Sequence, residues 1–67
     1  MKQEYDWGWI EAWDGTQDTY RVFDINNIHI GTIRRIFNGR ERIFLPTMNV
    51  YTPAQLRDIA QFMERLG

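Results

Sequence analysis

His29 is the one histidine of this chain, and serine and cysteine are absent altogether. The usual hydroxyl and thiol nucleophiles of acyl transfer are therefore missing. Thiolate metal centres and disulfides are excluded as well. His29 has no histidine or cysteine neighbour with which to hold a metal, and it reads as a half-exposed strand residue. Asp14 and Asp18 share an acidic loop but lack the ligand spacing of a calcium loop. The Gly31-Thr32 and Gly39-Arg40 steps make no phosphate-cradling loop. The expectation is a protein that is not an enzyme, with no catalytic residue, no cofactor and no metal.

What remains is recognition chemistry. Arg35, Arg40 and Arg42 alternate with Phe37 and Phe44, and Tyr20 joins them if neighbouring strands pair in the simplest register. Guanidinium groups contact carboxylates and phosphates, and exposed rings stack with unpaired bases at ~1–3 kcal/mol each. Arginine and aromatic residues also dominate protein-binding hot spots. The expected partner-binding residues are thus Arg35, Arg40, Arg42, Tyr20, Phe37 and Phe44. The expected partner is a protein, the alternative is single-stranded nucleic acid, and a homodimer is a further option.

A second constellation competes with the first. Trp7, Trp9 and Trp13 hold all the tryptophan of the chain, at spacings of two and four, and in an extended strand they share a face with Tyr5. Such a stripe is either the heaviest part of a small core or an exposed platform. Burying one tryptophan contributes several kcal/mol at roughly 25 cal/mol per Å², more than any single surface pair, so the stripe is assigned to the core.

These residues need strands to position them. Apolar residues recur at period two before residue 46 and at helical period after 52. The expected fold is α+β: a four-stranded antiparallel meander with one C-terminal helix packed on one face, in a single domain spanning 1–67. The strands are placed at about 5–13, 19–25, 28–37 and 40–45, and the helix at about 53–66. Asp14 to Asp18 make a five-residue loop, Asn26-Asn27 a two-residue hairpin, and Asn38-Gly39 a type I′ turn. Pro46 lacks a donor N–H and should end the last strand or confine it to an edge. Thr52, Pro53 and Gln55 form a helix start with a capping box. Leu56, Ile59, Ala60, Met63 and Leu66 follow as one apolar stripe, with Phe62 at its margin closing the core.

From these turns one sheet face collects Phe23, Ile25, Ile28, Ile30, Ile36, Ile43 and Leu45, with Arg21 and Arg34 toward its margin. The five-residue loop adds the tryptophans and pairs Glu11 with Arg21. The aliphatic character of this face matches the helix stripe, so the helix is expected there. The opposite face, carrying Tyr20, Val22, His29, Gly31, Ile33, Arg35, Phe37, Arg40, Arg42 and Phe44, is expected to be open.

Sixty-seven residues leave no room for a second domain and bury only about 60% of the unfolded surface, so large aromatics must compensate. The charge is divided along the chain. Residues 1–19 set one lysine against five carboxylates, and residues 20–43 set five arginines against two. The acidic start argues against a general nucleic-acid binder. No stretch is apolar enough to span a bilayer and the N-terminus lacks a signal-peptide core, so a cytoplasmic protein with no membrane contact is expected. Small, acidic, cysteine-free domains are common among accessory proteins of phages and mobile elements, which suggests that setting. The strand-strand-strand-strand-helix order is similar to that of the transcriptional-coactivator and whirly-type single-stranded-DNA binders, which dimerise through such helices. The similarity is one of element order, and no site residue carries over from it.

Overall fold

The computed structural model describes residues 2–13, 18–35 and 41–66. Among these residues five strands precede one helix: β1 (Lys2–Tyr5), β2 (Gly8–Ala12), β3 (Thr19–Asp24), β4 (His29–Arg35), β5 (Arg42–Pro46) and α1 (Pro53–Leu66). The strands form one antiparallel sheet in sequential order. The α+β meander with a C-terminal helix is as expected, with one strand more.

The extra strand arises because the first apolar run folds on itself. Asp6 and Trp7 make a turn, and Tyr5 pairs with Gly8. Gly8 allows this: its φ is +154°, and a Cβ built there would lie 1.9 Å from the Phe23 carbonyl oxygen. The tryptophans consequently do not form one stripe. Trp7 leaves the strand, stacks on Tyr5 with ring centroids 4.9 Å apart, and donates its Nε1–H to Asp58 Oδ2 of α1 at 2.8 Å.

Two of the expected registers hold. Glu11 pairs with Arg21 and Trp9 with Phe23, as a five-residue loop demands, and the Trp13 N–H donates to the Thr19 carbonyl at 2.9 Å. Between β4 and β5, Arg35 pairs with Arg42 and Thr32 with Leu45. The Asn38-Gly39 turn itself lies outside the described residues. Pro46 is the last residue of the edge strand β5, where a missing donor does least harm.

The β3–β4 turn differs from expectation. The Asp24 N–H donates to the Ile28 carbonyl, and the Asn27 N–H to the Asp24 carbonyl, each at 3.0 Å. The loop is therefore three residues, Ile25-Asn26-Asn27, with Asn27 in the left-handed region at φ +67°. Asp24 Oδ1 stabilises it by accepting from the N–H groups of Asn26 (2.9 Å) and Ile28 (3.0 Å). Phe23 now faces His29, and a bulge beside Val22 restores the expected pairing of Val22 with Gly31 and Arg21 with Thr32.

The bulge matters because it turns Ile30 toward the helix. The core is Ile10, Tyr20, Val22, Ile30, Ile33, Ile59 and Phe62, with Tyr5, Trp7, Ala12, Phe44, Tyr51, Met63 and Leu66 packed around it. Phe62 closes the core as expected, its ring edge-on to Tyr20 at 5.2 Å. Gly31 leaves room for Phe44, whose ring occupies the space a Cβ would need. Of the expected helix stripe, Leu56 and Ala60 are exposed instead. The helix thus covers the Tyr20–Val22–Ile33–Phe44 face. The face assignment is reversed: Trp9, Trp13, Arg21, Phe23, Arg34 and Leu45 lie on the side without a helix.

Candidate binding face

Across the side of the sheet opposite α1, the registers align side chains in three rows. One contains Glu4, Trp9, Phe23 and His29; the next Lys2, Glu11, Arg21, Thr32 and Leu45; the third Trp13, Thr19, Arg34 and Ile43. Cross-strand neighbours in such rows are within contact distance, and the rings use it. Trp9 and Phe23 stack at 5.0 Å and 15°, and His29 tilts against Phe23 at 5.5 Å.

Cations lie over this aromatic layer. The Arg21 guanidinium stands 4.7 Å from the centre of Trp13 and 5.4 Å from that of Phe23, and Lys2 Nζ is 4.9 Å from that of Trp9. Glu11 ties the layer together, accepting from Trp9 Nε1–H and lying 3.9 Å from Arg21 Nη2. Arg21 is therefore half-buried and neutralised. Arg34 is exposed, and no carboxylate lies within ion-pair distance of it among the described residues. Beside it is a shallow concavity of about 430 Å³, lined by Trp13, Thr19, Thr32, Arg34 and Leu45. Trp13 and Leu45 remain 43% and 41% exposed there, so the concavity combines apolar walls, two hydroxyls and an accessible guanidinium.

The four described residues among the six expected to bind a partner lie on the other side of the sheet, and three of them adjoin: Arg35 pairs with Arg42, whose guanidinium stands 6.0 Å from the centre of the Tyr20 ring. Tyr20 is buried under the helix and Phe44 packs half-buried against Tyr51 at 5.5 Å. Arg35 and Arg42 stand at the far end of the sheet around Asp18: Arg35 Nη2 is 3.5 Å from Asp18 Oδ1, and Arg42 Nη1 donates to the Asp18 carbonyl at 3.4 Å. Phe37 and Arg40 lie outside the described residues. The signal that identifies the open side is Arg21, a charge in the middle of the central strand β3. The matching signal for the covered side is the uncharged set Ile10, Ala12, Val22 and Ile33 on the three inner strands.

Among the described residues no group of His, Asp and Glu is arranged to hold a metal ion, and no helix is long and apolar enough to cross a membrane. Comparison with protein-family models, with curated proteins and with solved structures finds no match to this chain.

Proposed function

We propose that this chain is a non-catalytic domain that binds a protein partner stoichiometrically through the open face of its sheet. The observation that carries the reading is the exposed concavity between Trp13 and Arg34, backed by the Trp9–Phe23–Arg21 layer. Tryptophan and arginine around a partly desolvated centre are the usual composition of a protein-binding hot spot. Glu4 and Glu11 on the same face, and the engagement of Arg21 by Glu11, favour a protein over a polyanion. The absence of cysteine supports a cytoplasmic setting.

The test is the pair Trp13→Ala with Arg34→Glu, checked for fold by circular dichroism and then for capture of a partner by immobilised protein. Loss of capture is the expected result. Unchanged capture removes this face from the reading. Salt-dependent binding of a single-stranded oligonucleotide, lost in the same variant, would replace the protein partner with nucleic acid.

A further inference from the structure

We infer that in the free protein the open face is covered by a second copy of this chain, in a two-fold sandwich of sheets with the helices outside. The inference rests on the open-face reading above and names an occupant for it. Placing the two-fold axis along β3, between the sheets, sets β2 of one copy over β4 of the other and β1 over β5.

The rows then complement one another. Trp13 of each copy lies opposite Arg34 of the other, Trp9 opposite His29, and Glu11 opposite Thr32, while Phe23 meets its own counterpart near the axis. The Arg34 guanidinium, with no carboxylate within ion-pair distance among the described residues, thus receives an aromatic surface, the kind of pairing that Trp13 already makes with Arg21. Arg21 also meets its counterpart, but each is neutralised by its own Glu11 and held against Trp13 and Phe23. Packed sheets cross at about 30°, which displaces residues one strand from the axis by only about 2–3 Å, so β2 and β4 stay opposed.

The size of the face is adequate. Five strands of about five residues make a patch of roughly 20 × 17 Å, and two such patches with their side-chain relief reach about the 1,000 Å² at which stable interfaces begin. Trp13 and Leu45, left exposed by the single helix, would supply its apolar part, Leu45 against the aliphatic stem of Lys2 from the other copy.

Sedimentation velocity from low micromolar to near-millimolar concentration tests this on the intact chain. Wild type should rise from the 8.1 kDa monomer toward twice that mass. Arg34→Glu should remain monomeric, and adding Trp13→Arg to Arg34→Glu should restore association by an opposite-charge pair across the axis. Isotope-filtered NOEs between the Trp13 indole and the Arg34 side chain of the other copy provide a check that needs no variant. A wild type that stays monomeric, an Arg34→Glu variant that still associates, or a double variant that does not recover overturns the proposal. If wild type is monomeric yet captures a partner in a Trp13-dependent manner, only the second copy falls and the docking face stands.

Discussion

At the scale of single residues, Gly8, Trp7 and Tyr5 decide how the first hairpin meets the helix. Gly8→Ala places a methyl against the Phe23 carbonyl in a backbone region that side chains avoid. The expected loss is at least ~1–3 kcal/mol, read from the urea midpoint. The Trp7–Asp58 hydrogen bond joins sheet to helix, and bonds to charged groups contribute about 1.5–3 kcal/mol. A double-mutant cycle of Trp7→Phe and Asp58→Ala should give a coupling of about 1 kcal/mol, below that range because Asp58 is only half-buried. Burial raises the Tyr5 hydroxyl above its ordinary value of 10.0, Asp58 adds to the rise and Arg65 opposes it. Unfolded chains then release this proton before folded ones do, so the tyrosine's contribution is constant below pH 10 and lost as pH rises above it. Tyr5→Phe should therefore lose less stability than wild type between neutral pH and the alkaline range, measured by urea unfolding at each pH.

At the scale of elements, the helix start was fully legible. Thr52 Oγ1 accepts from the Gln55 N–H at 3.1 Å and Gln55 Oε1 accepts from the Thr52 N–H at 2.9 Å, the reciprocal pair that the residue types announce. Thr52→Ala should lower stability by about 1 kcal/mol in thermal or urea unfolding. The registers of β2–β3 and β4–β5 were legible too, because loop length and turn chemistry determine them. The bulge beside Val22 was not. It depends on Asp24 capping a three-residue loop, and Asn26-Asn27 fits a two-residue turn equally well by composition. The break at Asp6-Trp7 was hidden for a related reason. A glycine inside an alternating run reads as continuous strand until the close approach of Phe23 demands it.

At the scale of the whole molecule, register alone does not say which face of the sheet the helix covers. The side with the larger aliphatic count carries the charge of Arg21 at its centre. A buried charge requires a partner and costs several kcal/mol without one, whereas exposed rings cost far less, so the charge decides which side stays uncovered. The molecule is also graded along its strands. Arg35, Arg42 and Asp18 gather at one end, and Ile25, Ile28, Met48 and Val50 are exposed in the loops at the other, where Thr47 hydrogen bonds to His29 and Ile30 join the loops. That apolar end is the main rival to the open sheet as a contact surface. The most direct measurement sets them against each other: partner capture by wild type, by Trp13→Ala with Arg34→Glu, and by Ile25→Ser with Val50→Ser. Both variants alter exposed positions and should fold: Trp13→Ala gives up its contact with Arg21 and costs about 1–2 kcal/mol, and the other substitutions shift stability by about 0.5 kcal/mol. Binding through the open face predicts capture lost in the first variant and kept in the second. Capture kept in the first and lost in the second would contradict it.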